Sequence, residues 1–471
     1  MIAESKTGTA RTMTGPRAAL LYLLGSLVQG VGLLLIQPFA IRVLDAEQWG
    51  LVSTSVVTIQ VLVVLISAGL PLAITRVWFD AHNGRSRAHG MHSFLAMAAL
   101  LLGLIFAGGV VAGSQVSGVQ VPWPTLLAML SIGLLGAILG AQAVLRAENR
   151  PLAFVVLSLI SSVGANLAGL AAILFATPSA TAYLTAYSCV VGAGAAVALV
   201  LVPPVIPWRV RGVMRESLSI ALPLLPHTGA LMLLTQGAVL LLAALSGAVP
   251  AGQFGAVLIF ALGPLTLLNA LNNAWSTRLM ESAADKLPVV LRAVATEALL
   301  ASAAIGILAS SAASAGSIIL TPLPDELAPV ARILPLVSLG YGLFLIVTNV
   351  VYILDKTRSM AFITPLVLVA MASAAVPFAA AGDLLAVACI QGAGFFILGV
   401  AYWLVVRTTT HGSWPVGLFA LLAAIHVVAV AVLSPLPVTL LAGSLQVASA
   451  GVLLLLVGLY LRSARRRSEH G

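Results

Sequence analysis

The chain has 471 residues, of which 61% are hydrophobic and only 8% charged, and its formal net charge is +9. Ordinary globular domains carry about 25% charged residues, so this composition excludes a soluble fold and predicts an all-α polytopic membrane protein. The basic residues are scattered between apolar runs rather than gathered into a stripe. That pattern is typical of a membrane topology signal and argues against a nucleic-acid partner.

The apolar runs give the number of membrane spans. A helix needs about 20 predominantly apolar residues to cross the hydrocarbon core. The chain has fourteen such runs, which predict fourteen transmembrane helices. They lie near residues 18–41, 50–74, 91–112, 123–145, 152–175, 180–202, 217–246, 252–276, 288–311, 328–353, 360–380, 383–405, 415–433 and 436–460.

The positions of the basic residues predict how these spans are oriented. If the N-terminus is cytoplasmic, all of the 23 basic residues except Arg42 and Arg332 fall on the cytoplasmic side. One missed helix would invert every later segment, so this consistency supports the span count. The sequence therefore predicts a multi-pass membrane protein with both termini in the cytoplasm.

Two similar segments suggest that the chain contains a duplication. AEQWG (Ala46 to Gly50) resembles AGQFG (Ala251 to Gly255). Other pairs recur at nearly the same spacing: Gln29-Gly30 with Gln236-Gly237, Arg76 with Arg278, and RAENRPLAF (Arg146 to Phe154) with LDKTRSMAF (Leu354 to Phe362). Because each repeat would hold an even number of helices, the two copies would share one orientation. Parallel repeats of this kind build some secondary transporters.

The duplication predicts the regions of the chain. We expect a cytoplasmic tail over residues 1–17, a six-helix bundle over 18–208, a pseudo-symmetric six-helix bundle over 209–407, two extra helices over 408–461 and a basic tail over 462–471. The substrate path of such transporters lies between the repeats. A central cavity is therefore expected between the two bundles.

The N-terminal sequence resembles a known family. SLVQGVGLLLIQPFAIRVLDAEQWGLVSTS (residues 26–55) is similar to the opening of Wzx-type polysaccharide flippases of the multidrug/oligosaccharidyl-lipid/polysaccharide exporter (MOP) superfamily. The turn from Leu44 to Gly50 and the stretch SAGLPLAITR (Ser67 to Arg76) carry this resemblance. It implies two bundles in a V, alternating access, and an arrangement of fourteen helices known among these flippases.

The resemblance implies transport of polyprenyl-diphosphate-linked oligosaccharide across the bacterial cytoplasmic (inner) membrane, for surface polysaccharides such as O-antigen. The expected partners are this lipid-linked oligosaccharide, membrane lipids, and a polysaccharide polymerase with glycosyltransferases. No cofactor is expected, and coupling to protons or sodium is left open. Three alternatives remain: a drug/cation antiporter of the same superfamily, a flippase for the peptidoglycan lipid precursor, and a membrane enzyme of polysaccharide assembly. The enzyme is the weakest alternative because the loops are short and no nucleotide-binding or catalytic motif is present.

Charged and amide side chains inside the spans are the candidate site residues. Arginine suits a pyrophosphate because its guanidinium can bind two oxygens at once, although arginines near helix ends often reach lipid headgroups instead. Glu297 is a candidate for ion coupling, or it pairs with Arg292. The amides could replace glycan hydration, or they could join helices by hydrogen bonds. The substrate-binding candidates are Arg42, Arg76, Arg278, Arg332, Gln29, Gln37, Gln236, Asn272 and Asn273.

Overall fold

The structure is a computed structural model. It describes residues 36–433 except 81, 119, 284, 320–324 and 411–413, together with residues 21, 24, 25, 439, 441, 443–448, 451, 452 and 455. The secondary structure of these residues is helical, with no strand among them. Gln29, most of the first predicted span, much of the last span and both tails lie outside the described residues.

Over residues 36–433 the described chain forms fourteen helices, apart from three short 3₁₀ turns at Pro207–Arg209, Asp325–Leu327 and Thr357–Ser359. The helices are α1 (36–43), α2 (Ala46–Ser67), α3 (Leu70–Val77), α4 (Gly84–Ser117), α5 (Trp123–Ala147), α6 (Pro151–Phe175), α7 (Ala180–Leu201), α8 (Val213–Leu245), α9 (Ala248–Met280), α10 (Leu287–Ile319), α11 (Ala328–Ile353), α12 (Met360–Ala380), α13 (Leu384–Val406) and α14 (Val416–Leu433).

Eleven of the described helices are long and apolar enough to cross a membrane. They coincide with the second to twelfth predicted spans, so the prediction of an all-helical, multi-pass membrane protein is confirmed over this range. The helix α14 matches the thirteenth predicted span as a shorter apolar segment. The total of fourteen spans stays a prediction.

The second predicted span is not one helix, which corrects the expectation of an uninterrupted run over residues 50–74. The helix α2 ends at Ser67, and α3 begins at Leu70. Between them Ala68 and Gly69 have φ angles of 27° and 80°. A left-handed backbone is accessible to glycine without steric cost, and Pro71 then starts the new helix. By contrast, α9 runs unbroken to Met280 even though it contains Pro264.

Two large hydrophobic cores divide the described helices. One core is built from residues of α2 to α7 together with Val213. The other is built from residues of α8 to α14 together with Val57 and Val61 of α2. The helix α2 therefore contributes to both cores and carries much of the contact between the two groups of helices.

The segments RAENRPLAF and LDKTRSMAF form the same turn. Asn149 and Asp355 both adopt a left-handed conformation, with φ angles of 56° and 53°. In each turn the next residue donates its backbone N–H to a carbonyl five residues earlier: Arg150 to Leu145 and Lys356 to Val351, both at 2.9 Å. This is a helix C-cap of the Schellman type. The two segments thus share this backbone geometry, although Asn149 is the fourth residue of its segment and Asp355 is the second.

Candidate substrate path

The segments AEQWG and AGQFG pack directly against each other. Gly50 of α2 lies so close to the carbonyl oxygen of Ala248 that a Cβ atom would overlap it. On α9, a Cβ at Gly252 would overlap the carbonyl oxygen of Ala46, and one at Gly255 would overlap the hydroxyl of Ser53. Small residues allow two helices to approach closely within a membrane. These glycines therefore hold the two helix groups in contact at one end of the bundle.

Two of the predicted amides lie beside this contact. Gln37 is 5% exposed and donates from Nε2 to the carbonyl oxygen of Gly255 at 2.8 Å. Gln236 lines the same small cavity of about 30 Å³, together with Trp49 and Ser53. The buried indole N–H of Trp49 has no hydrogen-bond partner in the described part of the chain. The structure thus brings Gln37 and Gln236 together at the contact between the helix groups.

The two helix groups also meet near the opposite end of the bundle. Arg87 of α4 binds Glu216 of α8 at 2.5 Å and Asp80 at 2.9 Å. Close packing accompanies these ion pairs, since Gly69 contacts Leu224 of α8. Glu216 and Arg87 are far apart in sequence, and no local motif predicts that they meet. The helix groups are therefore in contact at both ends.

A larger cavity of about 270 Å³ lies between these two contacts. Its walls come from α2, α5, α6 and α7, and Met232 of α8 closes one side. Its polar lining consists of Gln60, Ser161, Ser162, Asn166 and Tyr187. Gln60 and Asn166 are amides inside predicted spans, the same kind of signal that selected the candidate amides, although neither is among those candidates. Ser161, Ser162 and Tyr187 carry no such signal, because hydroxyl side chains are common in buried helix contacts.

Asparagines form a row on one side of α9. The amide oxygen of Asn269 accepts a hydrogen bond from the Tyr341 hydroxyl at 3.0 Å. One turn further along, the amide oxygen of Asn272 accepts from Nδ2 of Asn349 at 2.9 Å. Asn272 thus joins α9 to α11, whereas Asn273 is exposed and points away from that contact.

Beyond this row, α9 carries Arg278, which forms an ion pair with Glu297, another of the candidate residues. Nη1 of Arg278 lies 2.6 Å from Oε2 of Glu297 on α10, and the indole N–H of Trp275 lies 3.4 Å from Oε1. The Arg278 and Glu297 side chains keep 38% and 42% of their surface exposed. The suggested pairing of Glu297 with Arg292 is therefore wrong. Arg278 lies one helical turn after Trp275, on the face of α9 that meets α10.

The remaining arginine candidates lie in different surroundings. Arg76 is exposed on the short helix α3 and forms no ion pair with the described residues. Arg42 is exposed at the end of α1. Arg332 of α11 is only 2% exposed, and its carbonyl oxygen accepts a hydrogen bond from the Ser310 hydroxyl at 2.5 Å. The structure therefore does not gather the four arginines into a single cluster, and a role for each in binding stays a prediction.

Several solved structures of membrane transporters are similar to this chain. The chain is similar to a structure described as "Lipid II flippase MurJ, inward closed conformation", with a TM-score of 0.68 and 11% identity over 97% of this chain and 99% of that one. It is also similar to an inward-facing multidrug resistance MATE family transporter of the MOP superfamily, with a TM-score of 0.60 and 14% identity over 86% and 97% of the two chains. A MOP superfamily transporter from Pyrococcus furiosus matches with a TM-score of 0.55 and 12% identity over 84% and 96%.

These likenesses define the class of protein: the chain has the fold of MOP superfamily transporters. The family follows from the sequence, because residues 17–276, more than half of the chain, match the family model described as "Polysaccharide biosynthesis protein". The chain belongs to this family, which is a flippase family of the MOP superfamily, and the resemblance to Wzx-type flippases is confirmed. No curated protein matches the sequence.

Proposed function

We propose that this protein flips polyprenyl-diphosphate-linked oligosaccharide outward across the bacterial cytoplasmic membrane, by alternating access, for surface polysaccharide assembly. Membership in the polysaccharide biosynthesis family supports this substrate class. The separate hydrophobic cores of the two helix groups support a pair of bundles with boundaries near residues 18–208 and 209–407. The contact between α2 and α9 would close the outer face, and the Arg87–Glu216 side would face the cytoplasm.

The observation that carries the choice of substrate is the Arg278–Glu297 pair. Glu297 is the one acidic residue well inside a described span, and Arg278 neutralises it. A drug/cation antiporter needs a carboxylate that can bind the cation. In contrast, a partly exposed arginine in the bundle can bind the diphosphate of the substrate, with its guanidinium fork on two oxygens.

We infer that the Glu297 carboxylate binds Arg278 in the unloaded protein. The substrate diphosphate then displaces this carboxylate from Arg278. The displaced carboxylate would then be available for a proton or a sodium ion, which is one route to ion coupling. Arg76 on α3 is a second proposed contact for the diphosphate, because it is exposed and has no carboxylate partner in the described chain. The amides of Asn272 and Asn273 on α9 would contact the substrate beside Arg278.

A flippase for the peptidoglycan lipid precursor is the second candidate. It is favoured by the similarity to the Lipid II flippase MurJ, which extends over nearly the full length of both chains. Both candidates require binding of a polyprenyl diphosphate, so the phosphate site would be common to them. Cells lacking the gene distinguish the two, because loss of surface polysaccharide with intact peptidoglycan synthesis supports the first candidate and the reverse supports the second.

The test is the leaflet distribution of lipid-linked oligosaccharide in cells with and without the gene. The proposal expects the precursor to accumulate on the cytoplasmic side when the gene is absent, and Arg278→Ala to reproduce this accumulation. If the precursor reaches the outside normally and only drug susceptibility changes, the antiporter alternative holds. If it reaches the outside but stays unpolymerised, the enzyme alternative holds.

A further inference from the structure

We propose that the 270 Å³ cavity between α2, α5, α6 and α7 binds one sugar ring of the lipid-linked glycan. This inference rests on the proposed flippase function and adds where the carbohydrate is held, apart from the diphosphate at Arg278. The volume of about 270 Å³ is many times the space that one water molecule needs, which leaves room for a monosaccharide ring.

The chemistry of the lining points to a neutral, hydroxyl-rich ligand. The polar groups that line the cavity are the amides of Gln60 and Asn166 and the hydroxyls of Ser161, Ser162 and Tyr187. None of the lining residues carries a charge. A phosphate would need cationic donors and a drug cation would need a carboxylate, whereas sugar hydroxyls both donate and accept hydrogen bonds.

Two of these side chains have hydrogen-bonding capacity to spare. Gln60 projects from α2 and Tyr187 from α7, and neither has a hydrogen-bond partner among the described residues. Gln60 can offer two N–H donors and one carbonyl acceptor, and the Tyr187 hydroxyl can act in either role. A ligand that supplied several hydroxyls would satisfy both side chains, which gives binding energy that an apolar occupant could not provide.

Two hydrogen bonds hold a third polar side chain of the cavity, that of Asn166, in place. Asn166 donates from Nδ2 to the Ser162 carbonyl at 2.7 Å and accepts from the Tyr183 hydroxyl at 2.9 Å. Residues Leu159–Gly164 of α6 form a π turn that ends two residues before Asn166. Such turns are frequent at functional sites because they rotate the following residues relative to a regular helix. Here the turn carries Ser161 and Ser162 to the cavity wall.

Apolar groups complete the site. Leu135 and Leu139 of α5 and Met232 of α8 also line the cavity. The faces of a pyranose ring are largely C–H and pack against apolar and aromatic side chains, and the Tyr187 ring offers such a surface. Met232 belongs to the second helix group, so a bound sugar would contact both groups. Binding is therefore expected to favour the state in which the groups are closed on each other.

The experiment compares two probes on the purified full-length protein in lipid nanodiscs. The first probe is lipid-linked oligosaccharide extracted from cells that lack this gene, and the second is polyprenyl diphosphate without sugar. The variants are Gln60→Leu and Tyr187→Phe. Ser188→Ala is the matched control, because Ser188 follows Tyr187 on the same helix but bonds Ser131 of α5 at 2.8 Å. Equilibrium affinities are measured for both probes.

The sugar site predicts that Gln60→Leu and Tyr187→Phe each weaken binding of the first probe by roughly two- to tenfold, the usual effect of losing a neutral hydrogen bond. Both variants should leave the second probe unchanged, and the control should change neither. Equal losses for both probes, or no loss for the first, would overturn the sugar site while the flippase function stands. If the wild-type protein binds neither probe, the proposed function fails and the sugar site fails with it.

Discussion

The proposed diphosphate site consists of Arg278 and its carboxylate partner Glu297. Arg278→Ala is expected to weaken binding of polyprenyl diphosphate by roughly ten- to a hundredfold, because hydrogen bonds to charged groups contribute about 1.5–3 kcal/mol. Arg278→Lys should retain part of the affinity, since lysine keeps the charge but loses the planar fork. Titration of polyprenyl diphosphate into each variant in nanodiscs measures these affinities. Equal affinities for the wild type and Arg278→Ala would place the diphosphate elsewhere.

Glu297→Gln provides the complementary test at the residue scale. If the Glu297 carboxylate competes with the diphosphate for Arg278, the uncharged side chain of the Glu297→Gln variant should raise the affinity for the diphosphate severalfold. Flipping should nevertheless slow if the released carboxylate carries the coupling ion. Asp383→Asn is a suitable comparison, because Asp383 caps α13 through the N–H of Ala386 and lies away from α9 and α10. Weaker diphosphate binding in Glu297→Gln would contradict competition and indicate that Glu297 only orients Arg278.

The glycine contact between α2 and α9 makes a prediction at the scale of elements. Gly252→Ala should separate the two helices, because the new methyl group would overlap the Ala46 carbonyl oxygen. Gly263→Ala on the same helix is the matched control, since its Cβ would meet open space. Ser53→Cys reports the separation through its labelling by a membrane-impermeant maleimide, after Cys189 and Cys389 have been replaced. We expect severalfold faster labelling with Gly252→Ala only, and equal rates in both variants would show that this contact does not close the path.

The break between α2 and α3 makes a second prediction at this scale. Gly69→Ala is expected to destabilise the protein by about 1–2 kcal/mol, the cost of a side chain in the left-handed conformation. Gly392→Ala, within α13 and facing open space, should instead be neutral or slightly stabilising. Thermal unfolding in detergent compares the two variants. An unchanged melting temperature for Gly69→Ala would mean that α2 and α3 can join into one helix.

The apolar runs predicted the positions of the helices, but they did not predict which helices contact each other. Span positions follow from hydrophobic length, which is local, so α4 to α13 appear where the sequence placed them. The glycines of GLLGAILG (Gly133 to Gly140) bring α5 directly against α4. The break at Gly69 was missed because apolar residues continue across it. The Arg278–Glu297 pair joins two helices, and only the folded arrangement decides which arginine the acid meets.

At the scale of the whole molecule, the two similar segments that stand out in the sequence meet in space. AEQWG and AGQFG lie at corresponding places in the two helix groups, and their glycines form the contact between α2 and α9. Arg87 and Glu216 join the groups at the other end. An alternating-access transporter has to break one of these contacts at a time. The different chemistry of the two contacts, close glycine packing and an ion pair, would let each be released separately.

The most direct test of the account is the leaflet accessibility of lipid-linked oligosaccharide in cells that carry the wild type, no gene, Arg278→Ala or Gly252→Ala. We expect full external access with the wild type, trapping inside without the gene, strong trapping with Arg278→Ala and partial trapping with Gly252→Ala. Gly263→Ala should behave as the wild type. Normal external access of the precursor in cells without the gene would contradict the flippase function itself.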